Sequence, residues 1–362
     1  MSRFDIAIIG AGIAGAGLAA ELAPHASVLM LEMEDMPGYH ATGRSAAYFS
    51  ETYGGAAIQP LSTASKTVLD AGGWLETLGA LQVGRADDGA LRDDYCARYA
   101  ASGVEMRAVN PHSLLPGLRD DWVIGLYEPT SAAIDVGGVH GDALARAKRG
   151  GATLHCRARL TGALRVDGHW QISTSAGDFT ADILVDAAGA WADDVAKIAG
   201  ARPLGITPYQ RTVVQLRTDP PAPVGIPHVS DFAGSFYFKP EAQGKLWLSP
   251  HDETPVAAGD VAPEELDVAI AIDRFEQVVD WRVAALERRW AGLRSFAPDR
   301  LPVYGFAADV AGFFWCAGQG GFGIQTAPAA SAMAAALLLG QSPADFVADI
   351  DPAIYLPSRF QH

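Results

Sequence analysis

The stretch "DIAIIGAGIAGAGLAAEL" (5–22) decides the fold. Apolar Ile6–Ile9 run unbroken into Gly10, glycines return at Gly12 and Gly15, and an alanine-rich segment follows. This reads as strand, tight turn and helix around G-x-G-x-x-G. Gly10 permits the turn, Gly12 lets backbone approach a pyrophosphate, and Gly15 lets the helix pack on the strand. The helix start offers free N–H groups and the positive end of its dipole to phosphates. A second strand, "SVLMLEME" (27–34), carries Glu32 near its end. A carboxylate there accepts hydrogen bonds from ribose hydroxyls and repels a 2′-phosphate. These residues predict a dinucleotide site without separating NAD from FAD.

Working outward, 362 residues suffice for about two domains. The hydrophobic share of 49% supports a sizeable core, and the net charge of −15 argues against a nucleic-acid surface. Cys96, Cys156 and Cys316 are far apart and odd in number, the pattern of reduced thiols, and no basic-then-apolar leader opens the chain. The longest apolar run, "AMAAALLLG" (332–340), is too short to span a bilayer. The expectation is a cytoplasmic protein with no transmembrane segment. The histidines show no ligand spacing, so no metal is expected.

The remaining pattern alternates between strand and helix. "ATGRSAAYFSETYGG" (41–55) reads as a loop entering a helix near 60–77, and 78–135 as weak strands with a charged helix near 91–102. Residues 137–160 read as a helix running into a strand. "LRVDGHWQIST" (164–174) is a hairpin turning on Asp167-Gly168. "ADILVDAAGAWADDVAKIAG" (181–200) repeats strand, glycine turn and helix. "QRTVVQL", "SFYFKP" and "KLWLSP" between 206 and 249 suggest an antiparallel sheet, followed by a helix near 264–286. Residues 312–340 return to strand, glycine loop and long helix. The fold class expected is α/β (α+β): a discontinuous Rossmann-like domain (1–77, 136–202 and 294–362) beside an antiparallel-sheet substrate domain (78–135 and 203–293).

Seven stretches carry a resemblance: "GAGIAGA" (10–16), "PGYHATGRSAA" (37–47), "AAGAW" (187–191), "RPLGITP" (202–208), "SFYFKP" (235–240), "WAGLRSF" (290–296) and "QGGFGIQT" (319–326). In this order they resemble the FAD-dependent D-amino-acid oxidase/dehydrogenase family, most of all its bacterial D-arginine dehydrogenases. The resemblance implies FAD as cofactor. It places Ile13, Ala14 and Met33 with the glycine turn and Glu32, sets Arg44, Ser45, Ala46 and Ala47 beside the flavin and pyrophosphate, and brings Ala188, Gly189 and Trp191 close to the cofactor. Gly320, Gly321, Phe322, Gly323, Ile324, Gln325 and Thr326 would bring the last helix to the flavin, its positive end facing the charge that reduction creates. Relatives with covalent flavin use a cysteine before the last strand; "LRSFAPDRLPVYGF" (293–306) has none, so noncovalent FAD is expected.

Arg294, in "WAGLRSFAPD" (290–299), is an arginine among large apolar residues. A guanidinium is always charged and needs an anion, whether a structural acid, a surface contact or a ligand carboxylate. The resemblance makes it the carboxylate-binding position, with Arg211 as a second cation; an acid across the sheet is the alternative partner for Arg211. Tyr237 and Tyr53 would add phenolic donors, Tyr53 from a mobile lid, and the Gly321 carbonyl would face the substrate amine. The implied chemistry is hydride transfer from the Cα of a D-amino acid to FAD, the imino acid then hydrolysing to a 2-oxo acid and ammonia. Two departures bear on the side chain. The loop "LGALQVGRAD" (78–87) lacks the family's acid and holds Arg85, and Tyr48 stands where the relative has histidine. A neutral or apolar D-amino acid is therefore expected. A 2-hydroxy acid or N-substituted glycine, or a flavin-binding role in a larger complex, are the alternatives. The electron acceptor (quinone, protein or O2) is left open.

Overall fold

The computed structural model describes residues 3–360. The opening stretch folds as read: β1 (Arg3–Ile9) leads into Gly10, and α1 (Ile13–Leu22) begins after Gly12. Gly10 has φ +99°, a left-handed conformation natural to glycine, and a Cβ there would lie 2.5 Å from the Ala187 carbonyl oxygen. Gly15 sits directly on the Gly10 carbonyl, closing the helix onto the strand. β1 pairs in parallel with β2 (Val28–Leu31), and β2 with the short strand Thr153–His155 that follows α2 (Val136–Arg149). On its other side β1 meets β3 (Gly177–Asp186), also in parallel, and β3 pairs with Phe313–Ala317. The Asp167-Gly168 hairpin joins this eight-stranded sheet, both turn residues having positive φ. Helices bury Ile6, Ile8 and Val28 on one face of the sheet; Ala7, Leu29 and Phe313 are buried on the other.

The second sheet has ten strands. Its centre is β4 (Thr207–Asp219), β5 (Tyr237–Glu241), β6 (Lys245–Ser249) and, after the helix α3 (Glu265–Glu276), β7 (Arg282–Phe296). β7 runs antiparallel beside β4, β4 beside β6, and β6 beside β5. Strands Ala80–Arg85, Trp122–Glu128 and Arg107–Val109 extend the far edge. A three-stranded sheet (Tyr48–Phe49, Ala132–Ile134, Leu75–Thr77) lies apart from both. The final helix α4 (Gly323–Leu339) follows the glycine turn, and its Met333 is buried against Leu18 of α1. Among the described residues no helix is long and apolar enough to cross a membrane.

Two elements depart from the sequence reading. The helix expected near 60–77 is Gln59–Ala71: Gly72 and Gly73, the latter at φ +70°, break it before the strand Leu75–Thr77. The helix expected near 264–286 stops at Glu276, and Arg282 starts β7. Pairing with β4 along the whole length of β7 overrides the helical spacing of "RVAALERRW". The boundary drawn at 293/294 therefore falls inside a strand, so Arg294 rides on the same sheet as Arg211.

Gly15→Val is expected to cost about 3 kcal/mol of unfolding free energy, the upper range for overpacking a tight contact. Denaturant titration measures it; a loss below about 1 kcal/mol would contradict a helix seated on the Gly10 carbonyl.

Candidate functional site

A single cavity of about 600 Å³ begins at the glycine turn of the first sheet and ends against β4, β5 and β7 of the second. At the first end Gly10, Gly12, Ile13 and Ala14 line it together with Glu32 and Met33. Gly12 caps α1 without a side chain, and only Ile13 N–H is engaged locally, by Thr42 Oγ1 at 3.0 Å. Glu32 is buried, its Oε2 accepting from Ala11 N at 2.9 Å and its Oε1 from Glu34 N at 3.1 Å. Lone pairs remain on both oxygens for ribose hydroxyls. His140, lodged behind the turn, meets the Ala11 carbonyl at 2.9 Å and is held neutral by burial. The residues present fit a dinucleotide.

Further along, Ser45, Ala46, Ala47, Ala188, Gly189, Trp191, Gly320, Gly321, Gly323 and Ile324 all reach the wall. Ala47 is held at φ +53°, with its N–H on Ser45 Oγ at 3.0 Å. Three expected cofactor residues stand elsewhere, and Gly15 has the packing role read for it. Phe322 packs against Phe296 and Tyr53. Gln325 turns away to Ser62 Oγ at 2.8 Å and Tyr53 O at 3.1 Å, and Thr326 bonds back to Phe322 O at 2.9 Å. Only the start of α4 faces the cavity; one turn on, the helix has rotated into the core. Arg44 lines the wall, but its guanidinium is taken by Asp260 at 2.5 Å and by the Val261 and Ala291 carbonyls at 3.3 Å.

At the second end the β-ladder does the positioning. Tyr209 is opposite Arg294 and Arg211 opposite Gly292, which puts the two arginines diagonally on one face of the sheet. Both line the cavity with Tyr48, Tyr53 and Tyr237. β6 ends at Ser249, and the chain turns through His251 and Asp252 before Thr254 pairs with Gln210 of β4. This loop delivers the anion that the sequence demanded. Glu253 Oε1 accepts from Arg211 Nη2 and from Arg294 Nη1, each at 3.2 Å, while Arg211 Nε also reaches Asp252 O at 2.8 Å. Nε and Nη2 of Arg294 find no acceptor among the described residues and lie over Gly321, where any Cβ would overlap them. Burial and the nearby Arg300 cation push the Arg294 guanidinium down to about 9, still charged at neutral pH.

Three features were missed by sequence reasoning. His228 stacks on Tyr48 with centroids 3.7 Å apart and lies near Tyr237 at 5.5 Å; burial, then Lys239 and His251, lowers it to about 3. His251 donates Nδ1–H to the Gly234 carbonyl and is lowered to about 4 by burial and Arg211, so its Nε2 is an acceptor. Both line the cavity as neutral imidazoles. The third is the buried Glu128, which accepts from Ser50 Oγ and Glu51 N, each at 2.9 Å, and from Thr52 Oγ1. These bonds pin the segment leading to Tyr53, so the root of the expected lid is fixed. A pair such as "HDE" (251–253) beside a strand arginine was the available signal for the loop; nothing local marked Glu128. Arg85 lies off the cavity, stacked on Trp122 and bonded to Asp121 at 2.9 Å.

Residues 5–337 match the family described as DAO, FAD dependent oxidoreductase. The chain belongs to that family. Its cofactor is FAD, a two-electron acceptor when bound. Mouse mitochondrial dimethylglycine dehydrogenase is 26% identical over 98% of the chain and 44% of its own length. The chain thus spans about half the length of the curated relatives it matches. Glycine oxidase from Geobacillus kaustophilus superposes with TM-score 0.85 at 21% identity, over 99% of both chains. L-proline dehydrogenase from P. horikoshii gives 0.86 at 22%, over 99% of this chain and 98% of that one. These likenesses support the DAO family and its fold, not specifically its D-arginine dehydrogenases.

Asp186, at the end of β3, is fully buried, with Oδ2 unpartnered among the described residues and its carboxyl raised well above the usual range by burial. A carboxyl raised in the folded state contributes most below its unfolded value and loses that contribution as pH climbs toward the folded one. Relative to the parent, Asp186→Asn is expected to become progressively more stable from pH 4 to pH 8 in thermal unfolding; a difference that does not change with pH would contradict a protonated Asp186.

Proposed function

We propose that this DAO-family chain oxidises the Cα–N bond of a small amino acid with a free carboxylate, taking neutral or apolar D-amino acids. The observation that carries the reading is Arg294: its side chain only 11% exposed, charged, bonded through Nη1 alone among the described residues, and facing the Gly320–Gly321 turn. A planar guanidinium offers a carboxylate two parallel hydrogen bonds, which fix distance and rotation together. Tyr237 adds a phenol, kept protonated by burial, and Tyr53 a second ring beside the Arg294 cation at 5.6 Å. The carboxylate so held orients the neighbouring carbon, and that alignment supplies much of the rate. As the amine gives up its proton, the Cα hydride passes to bound FAD, leaving an imine that water hydrolyses to a 2-oxo acid and ammonia.

The far wall supports the side-chain reading. Tyr48, Gln82, Tyr95, Tyr99, Phe232 and Phe236 line it. Glu128, the acid behind it, is consumed by its hydroxyl and amide donors, and burial favours its neutral form. Asp231, the acid within this lining, is likewise engaged by Ser235 N–H at 2.7 Å and Ser235 Oγ at 2.6 Å, so a basic side chain finds no free carboxylate there among the described residues. The second reading is an N-substituted glycine, favoured by the dimethylglycine dehydrogenase likeness; it uses the same clamp and differs at the nitrogen.

Anaerobic bleaching of the flavin across D-Leu, D-Phe, D-Met and D-Arg, their L-forms, and sarcosine is the test. Fastest reduction by an apolar D-amino acid is expected. Sarcosine fastest would move the assignment to the second reading, and a D-Arg optimum would refute the wall argument. Arg294→Met is expected to lower kcat/KM about 100-fold, the scale of losing charge-assisted hydrogen bonds. Gly321→Ala, which drives a methyl into the guanidinium, is expected to lower it at least about tenfold, as misplacements of about 1 Å can. Unchanged kinetics in either variant would contradict the clamp.

A further inference from the structure

Behind the clamp stands a charge cluster that the oxidation chemistry does not itself require. Arg300, on the turn after β7, holds φ +66° and sets Nη2 2.9 Å from each oxygen of Glu253. Its guanidinium lies 3.9 Å above the Phe296 ring, which fixes it in place. Glu253 thus takes three guanidiniums at once: Arg211, Arg294 and Arg300. Asp252 adds a second carboxylate, 3.8 Å from Arg211 and anchored by Thr212 N–H at 2.8 Å. Arg211 and Arg294 line the cavity, whereas Glu253 and Arg300 do not. The acid therefore works from behind the cations rather than in the substrate's place.

We propose that Glu253 is a positioning and specificity residue: it turns Arg211 and Arg294 toward the cavity and trims the cluster to one net positive charge, matched to a single carboxylate. This inference rests on the clamp reading given above. Three guanidiniums against two carboxylates leave one cation unbalanced, enough to hold one anionic headgroup and too little to reward a second. Without Glu253 the pocket carries one more positive charge, so it attracts monocarboxylates more strongly and gains most for dicarboxylates. Without Arg300 it carries one fewer, and carboxylates bind less well. A merely structural role for the pair predicts a different pattern, because damage to the cluster weakens binding in both variants.

The holoprotein, titrated with propionate and with succinate and followed by the visible absorbance of its flavin, separates these outcomes. Glu253→Gln is expected to bind propionate about tenfold tighter, a change typical of removing one nearby charge in a partly buried site, with a larger gain for succinate. Arg300→Met is expected to bind propionate about threefold more weakly, its charge being half-exposed and partly screened. Shifts of the same sign in the two variants, or none in either, overturn the inference while leaving the clamp intact, provided Arg294→Met abolishes the propionate response. A parent protein that gives no propionate response overturns the clamp and this inference with it. Should Glu253→Gln fail to retain flavin, Arg300→Met alone decides: weaker propionate binding supports the proposal, and unchanged or tighter binding refutes it.

Discussion

Two cations set diagonally across one antiparallel ladder impose a demand that much of the surrounding structure answers. Arg211 and Arg294 are nearly excluded from water, with side chains 6% and 11% exposed, and neither can shed its charge to escape the cost. The loop after β6 bends back to supply Glu253 and the Asp252 carbonyl. Over Arg294 the incoming turn has a glycine, Gly321, which leaves room for the guanidinium where a side chain would stand. Among the described residues nothing accepts from Nε and Nη2 of Arg294. We propose that a substrate carboxylate meets that demand.

The electrostatics of the cavity follow from this arrangement rather than from the chain as a whole. The protein carries a net charge of −15, yet its acids are largely elsewhere, paired on the surface or, like Glu128, buried among hydroxyl donors. Near the clamp, burial keeps His228 and His251 neutral, helped by Lys239 beside the first and Arg211 beside the second, so neither adds a repelling or competing charge at physiological pH. At that pH His228 stacks on Tyr48, and His251 donates to the Gly234 carbonyl.

Local sequence carried the dinucleotide end well because its geometry is written in adjacent residues. Gly10, Gly12 and Gly15 each answer to a steric requirement within one turn, and Glu32 lies where the next strand ends. The Asp167-Gly168 hairpin was legible for the same reason. The substrate end was legible only by residue type and resemblance: Arg294 was recognisable as a cation in need of an anion, but Glu253 is 41 residues distant and meets it through a sheet register that no local pattern encodes. The same limit explains the strand that replaced the end of an expected helix at Arg282, where pairing with β4 decides the outcome. It also explains Gln325 and Thr326, whose motif is contiguous with Gly323 although the helix carries them out of the cavity.

The most direct measurement is a crystal structure of the FAD-loaded protein grown with a 2-oxo acid that the enzyme cannot oxidise further. The account requires its carboxylate to lie within about 3 Å of Nε and Nη2 of Arg294, with Glu253 still bonded from behind to Nη1. A carboxylate seated elsewhere in the cavity, with that edge of Arg294 bonded to protein instead, would contradict it.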